Sequence, residues 1–222
     1  MLKAVGPEAA RHVSGRPPHS RLRLAHFSPK HRSLWRETPM NVDELSARAH
    51  IHDALLRYCR GLDRVDMDLV RSVFHEDAWV QFPASLHIGP VSGFVDFLAG
   101  EMPRFVRTMH SLGNSLIEFN GPDIAHVETY LQADHQGSES HQWKGESVKL
   151  WARYLDRFER RDGLWLIARR QLIVDWMYKY PADGWFDDHP DASAGRRDGS
   201  DPSLRPVAGF GGVPSADDNW PS

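Results

Sequence analysis

The sequence predicts an α+β domain over residues 40–185, with helices first and an antiparallel strand meander after them. Three observations predict it. Apolar residues recur at helical spacing through residues 42–62. From His110 onward the pattern shifts towards strand-like alternation. Two turn dipeptides, Asn120-Gly121 and Asp162-Gly163, punctuate that second half. Helices grouped ahead of hairpin-linked strands pack as two layers around one core.

The first helix opens on Asn41, with Glu44 three residues on, a capping-box pattern. Leu45, Ile51, Leu55, Tyr58 and Leu62 then form its apolar stripe. A second, short helix is predicted over Met67–Phe74 with Asp66 as N-cap. Trp79–Phe82 reads as a short strand. Gly89, Pro90 and Gly93 mark a break, and Phe94–Val106 reads as a third helix. Strands follow at His110–Phe119, Ile124–Ala133, Lys149–Arg160 and Leu164–Trp176, with a polar loop over Gln136–Gly145. No internal repeat is present.

The flanks differ in kind. Residues 1–39 hold eight Lys and Arg against two Glu, together with five prolines. Such a segment buries too little apolar surface to offset its ordering entropy, so it is predicted to be a disordered basic arm. A targeting segment, or a true start at Met40, is the other reading of the same composition. Residues 186–222, rich in Asp, Gly and Pro, are predicted to be a disordered tail. Gly209-Phe210-Gly211-Gly212 follows no strand and opens no helix, so it is not a phosphate loop.

Composition removes several function classes. A net charge of -3 gives no bulk pull on nucleic acid or an anionic membrane. The single cysteine, Cys59, forbids an internal disulfide and suits a cytoplasmic protein. No apolar run reaches the roughly 18–20 residues needed to span a bilayer.

Five segments resemble one family. They are Tyr58-Cys59-Arg60-Gly61-Leu62-Asp63, Phe74-His75-Glu76-Asp77-Ala78, Thr108-Met109-His110-Ser111-Leu112-Gly113-Asn114, Ala125-His126-Val127-Glu128-Thr129-Tyr130, and Arg153 through Trp165. Together, over about residues 42–180, they resemble the SnoaL-like family of the NTF2-like superfamily. The resemblance implies a cone: a curved antiparallel sheet wrapped on about three N-terminal helices, with a deep pocket inside. Catalytic members such as scytalone dehydratase, hexachlorocyclohexane dehydrochlorinase and bile acid 7-alpha dehydratase eliminate water or HCl from small hydrophobic rings without a cofactor. They use an Asp–His pair at positions matched by Asp63 and His110. Tyr58 matches a catalytic tyrosine of the bile acid enzyme, and Arg153 stands where the dehydrochlorinase has a pocket arginine. The resemblance also implies homo-oligomers, dimers or trimers, through the outer sheet face.

The residue types fit that chemistry. Elimination next to an activating group needs a base for a carbon-bound proton, and neutral histidine serves near pH 7. A carboxylate on its other ring nitrogen fixes the tautomer and stabilises the imidazolium. Tyr58 and Arg153 are candidate donors for the developing charge. Each residue also has a structural reading. Asp63 pairs with Arg60 or Arg64, His110 is a satisfied structural histidine, Tyr58 is core, and Arg153 pairs with Glu128 or Asp175. His126 and Glu128 share a strand face but lack a third ligand, so no metal is expected. His135 and His141 are expected to be solvated in the polar loop. Cys59 is expected to be a buried, unreactive thiol.

The sequence therefore predicts a cofactor-independent lyase or isomerase acting on a hydrophobic, ring-containing small molecule. The other readings of the same cone are a non-catalytic ligand binder and a small subunit of a ring-hydroxylating oxygenase. No nucleic-acid or membrane partner is expected.

Overall fold

The computed structural model describes residues 40–182, 184, 188–189, 195–201 and 203. The predicted basic arm and most of the predicted tail lie outside the described residues.

Helix α1 spans Val42–Arg64. Asn41 caps it as predicted, its side chain accepting the Glu44 N–H at 2.8 Å. Ile51, Leu55, Tyr58 and Leu62 of the predicted stripe are buried, whereas Leu45 is exposed and Ala47 takes the inward place in the first turns. The helix ends at Val65, whose φ of 56° places it in the left-handed region. Helix α2, Met67–Ser72, is capped by Asp66, which accepts the Leu69 N–H at 2.9 Å.

The helix predicted to run to Phe74 stops at Ser72, because Phe74 opens strand β1, Phe74–Gln81. Phe74, Ala78 and Val80 point into the core from this strand. The predicted break at Gly89 and Pro90 is itself a short strand, β2, Ile88–Pro90, paired back on Trp79–Gln81. Helix α3 is Val91–Glu101, ending before the expected Val106. A 3-10 turn containing Pro103 follows, and Phe105 and Val106 already belong to β3. Proline cannot continue the α-helical ladder, and it biases its predecessor away from helix.

The remaining strands are long: β3 Phe105–Phe119, β4 Ile124–Gly137, β5 Glu146–Arg161 and β6 Leu164–Pro181. The turn at Asp162-Gly163 has φ of 51° and 81° in succession, the paired positive values that make Asp-Gly a hairpin signal. The sheet order is β2-β1-β6-β5-β4-β3. Pairing is antiparallel except between β1 and β6, which run parallel, so the sheet is mixed.

One face of this curved sheet packs on the helices. Alternate residues Ala125, Val127, Leu131 and Ala133 of β4, with Ala152, Tyr154 and Phe158 of β5, meet Ile51, Leu55 and Tyr58 of α1 and Phe94 and Leu98 of α3. Each large side chain buried there contributes about 1.5–3 kcal/mol. Among the described residues, no helix is long and apolar enough to cross a membrane.

Candidate active site

Between the helices and the sheet the chain encloses a cavity of about 530 Å³. Its walls are mostly apolar, with Leu62, Phe97, Leu98, Leu131, Leu150 and Leu172 among them. Tyr58, His110 and His135 bring polar atoms to it.

Asp63 leaves the last turn of α1 and His110 stands on β3, which is an edge strand of the sheet. An edge strand presents backbone groups with no neighbouring strand. Asp63 meets that edge: its Oδ2 accepts the His110 backbone N–H at 2.9 Å. Its Oδ1 lies 2.7 Å from His110 Nδ1 and accepts the Thr108 hydroxyl at 2.9 Å. The two side chains are 14% and 6% exposed. Burial pushes the Asp63 carboxyl up. The hydrogen bond and charge of His110, its backbone N–H and the Thr108 hydroxyl together outweigh that and hold it below the usual carboxylate range. In the neutral form of the ring, ionised Asp63 places the single proton on Nδ1 and leaves the Nε2 lone pair free.

His135 also lines the cavity, and sequence reasoning missed it. It was expected in a solvated loop. It lies on β4, which continues to Gly137, and its ring meets His110 edge-on at 5.1 Å. Burial, with the neighbouring His110 charge next, brings its pKa down to about 3, so it is a neutral donor or acceptor. The alternation of Ala125, Val127, Leu131 and Ala133 reaches His135 two residues later, and that was the available signal. His141 does lie in the loop but is buried there, its Nε2 3.0 Å from Glu101 Oε1 and its ring 4.5 Å from that of Phe105.

Tyr58 faces the cavity from the apolar stripe of α1. Its hydroxyl is buried beside the Arg170 guanidinium and, among the described residues, has no partner within hydrogen-bond geometry. Burial pushes its pKa to about 12, so it remains a proton-bearing donor. Cys59 beside it is buried, and burial likewise pushes its thiol up to about 12, which leaves it unreactive.

Arg153 is not in the cavity. On β5 the residues facing inward are Val148, Ala152, Tyr154, Asp156 and Phe158, so Arg153 points outward. It donates from Nη1 to Glu128 at 2.8 Å and from Nε and Nη2 to Asp175 at 3.0 and 2.9 Å. The arginine beneath the site is Arg170, which the sequence reading did not single out. It is fully buried and makes two bonds to Asp156, Nε to Oδ1 at 2.8 Å and Nη2 to Oδ2 at 2.7 Å. Its guanidinium lies between the rings of Tyr58 and Tyr154, 4.1 and 4.0 Å from their centroids. Burial drives the Asp156 carboxyl up, while its paired guanidinium keeps its proton. A neutral Asp156 would strand a buried guanidinium without a counter-charge, so the pair is ionic at neutral pH. Among the described residues, no group of three or more His, Cys, Asp or Glu is arranged to hold a metal ion.

Residues 43–171 match the model of the SnoaL-like domain. The chain belongs to the SnoaL-like domain family. Solved structures with the same SnoaL-like fold include a protein assigned as a scytalone dehydratase from Novosphingobium aromaticivorans. It is 22% identical with a TM-score of 0.57, over 65% of this chain and 94% of that one. A type 2 hexachlorocyclohexane dehydrochlorinase is 23% identical with a TM-score of 0.57, over 65% of this chain and 95% of that one. The type 3 dehydrochlorinase of Novosphingobium barchaimii is 22% identical with a TM-score of 0.56, over 65% and 96%. At these identities the likeness shows the fold alone. Among curated proteins, none matches the sequence significantly.

Proposed function

We propose that this SnoaL-like protein is a cofactor-independent lyase or isomerase acting on a hydrophobic, ring-containing small molecule. The observation that carries the reading is the 2.7 Å contact between Asp63 Oδ1 and His110 Nδ1 at the wall of an apolar cavity. His110 Nε2 takes a proton from a ring carbon next to an electron-withdrawing group. The C–H electron pair becomes the new double bond or an enolate. Asp63 stabilises the imidazolium as it forms. A leaving hydroxide or chloride, or the enolate oxygen, is met by the hydroxyl of Tyr58 and the neutral ring of His135. The cavity volume lies within the range that holds a drug-sized ligand.

The test is a turnover screen of the purified chain against cyclic β-hydroxy ketones and chlorinated cyclohexanes. His110→Ala removes the base, and Asp63→Asn offers Nδ1 an amide N–H that forces the proton onto Nε2. Each variant is expected to lose about 10²–10⁴-fold in turnover. Full turnover in either one refutes the mechanism. Ligand capture without conversion, indifferent to both substitutions, identifies a binding protein instead.

A homo-oligomer belongs to the same proposal. Exposed Leu116, Tyr130, Trp176 and Tyr178 on the outer sheet face support self-association there, and light scattering on the purified chain reads the state directly. A cytoplasmic setting is supported by the single, buried, unpaired Cys59.

A further inference from the structure

Residues 195–201 and 203, beyond the region matched to the family, pack against the end of α1. Asp201 accepts the Arg196 backbone N–H at 2.8 Å and pairs with Arg64 Nε at 3.2 Å. Arg60 donates to the Ser203 carbonyl at 3.3 Å. From this small turn the Arg197 side chain reaches three backbone carbonyls. Nη2 donates to Leu62 O at 3.2 Å, Nε to Asp63 O at 3.3 Å and Nη1 to Phe105 O at 2.7 Å.

The two groups of carbonyls belong to different elements. Leu62 and Asp63 lie in the last turn of α1, where the helix dipole is negative; Leu62 O also takes the Val65 N–H at 3.3 Å and Asp63 O the Arg64 Nη1 at 3.4 Å, so the guanidinium adds a cation to carbonyls at the helix end. Phe105 opens β3, five residues before His110. A guanidinium is planar and holds its donors in a fixed fork, so three bonds from one group fix the distance between the elements it bridges. The Asp63 carboxylate and the His110 ring sit one on each of those elements.

We propose that Arg197 is a positioning residue, a staple from the C-terminal segment that holds the Asp63-bearing helix end against the His110-bearing strand. It touches neither the cavity nor the His110 ring. It sets the separation across which Asp63 accepts the His110 N–H and the Nδ1 proton. The inference deepens the proposed acid–base reading, but its geometry does not depend on turnover.

The experiment uses the full chain and needs no ligand. Amide exchange followed by NMR compares His110, whose N–H ends on Asp63, with Tyr154 in the central strand β5. Arg197→Ala is expected to speed exchange at His110 about tenfold, the equivalent of one ordinary hydrogen bond, and to leave Tyr154 unchanged. The Asp63 carboxyl titration moves upward in the same variant, because a looser contact with His110 and the loss of a nearby cation act in one direction. Arg197→Lys keeps the charge and part of the donor set, and restores part of both effects. Arg196→Ala, which alters only a neighbouring side chain, moves neither.

Unchanged His110 exchange together with an unchanged Asp63 titration in folded Arg197→Ala overturns the proposal. Equal acceleration at His110 and Tyr154 overturns it as well, since that marks general destabilisation. If the alanine variant does not fold, Arg197→Gln carries the same comparison. Failure of the catalytic reading appears separately, as full turnover in His110→Ala, and leaves these exchange results standing.

Discussion

Replacing Arg170 by methionine tests the least expected feature of the core. Arg170 has 0% side-chain exposure, as does its partner Asp156, and the two share bonds of 2.8 and 2.7 Å. Its guanidinium also lies within 4.1 Å of two tyrosine ring centroids. Methionine fills most of the volume but leaves Asp156 as an uncompensated buried acid. Breaking a buried pair from one side costs about 3–5 kcal/mol. Loss of the two desolvated cation–π contacts takes the figure towards the upper end. For a domain of this size, each kcal/mol moves the melting temperature by about 2–4 °C, so Arg170→Met melts about 10–15 °C lower. Calorimetry or thermal circular dichroism reads it. The double variant Arg170→Met with Asp156→Leu removes both charges and recovers most of the loss, because well-packed apolar replacements of a buried pair are often neutral. A single variant that melts within 2–3 °C of the parent, or a double variant no better than the single, refutes the assignment of an ionised and mutually dependent pair.

Three further outcomes follow from the same geometry. The Asp63 carboxyl is held below its ordinary value near 3.8, so its contribution to stability is complete above that value and is lost as pH falls through the lower folded value. Asp63→Asn is therefore expected to flatten the acid limb of a stability-against-pH curve, measured by urea unfolding between about pH 2 and pH 5. Arg153→Ala removes a solvent-screened ion-pair cluster on the outer face, so both the melting temperature and turnover stay close to the parent values. A Cβ at Gly61 falls 2.6 Å from Val70 Cγ2 and 3.0 Å from the Asp66 carbonyl, so Gly61→Ala forces α1 and α2 apart and costs about 1–3 kcal/mol in denaturant titration.

The contrast between Arg153 and Arg170 marks where the sequence ceases to be legible. Helix α1 and both hairpin turns could be read directly, since Asn41, Asn120-Gly121 and Asp162-Gly163 act through local backbone chemistry. Arg153 carries its pocket reading from the family resemblance alone, and its neighbours on the same strand face, Trp151 and Leu155, are apolar and do not contradict it. Both faces of β5 carry apolar residues, however, so composition does not say which face is inside. Strand β6 hid Arg170 more thoroughly. Trp165 and Ile167 point inward, and strict alternation would send Arg169 after them. The register between β5 and β6 shifts beside Ile167, so Ala168 and Arg170 turn inward instead. A bulge of one residue inverts every later position on its strand, and no local sequence signal announced this one. His135 escaped for a milder reason: the strand runs four residues past its expected end at Ala133, to Gly137. Asp63 and His110 were legible only as a matched pair of motifs, because two residues 47 positions apart carry no local sign of contact.

The parallel pairing of β1 with β6 bears on the order in which the molecule assembles. Strands β3 to β6 are joined by short turns and zip together through near neighbours in the chain. Strand β1 must wait for β6, and its seam is closed by contacts such as the Ile167 N–H on the Val73 carbonyl at 2.9 Å. Helix α1 precedes β1 in the chain but packs on β3 and β6, so Asp63 reaches His110 directly at the edge strand, away from the seam. Contacts between distant parts of the chain form late and slowly. The β1–β6 seam thus matures last, and protection of the Ile167 N–H in a refolding experiment times the closing step of the sheet.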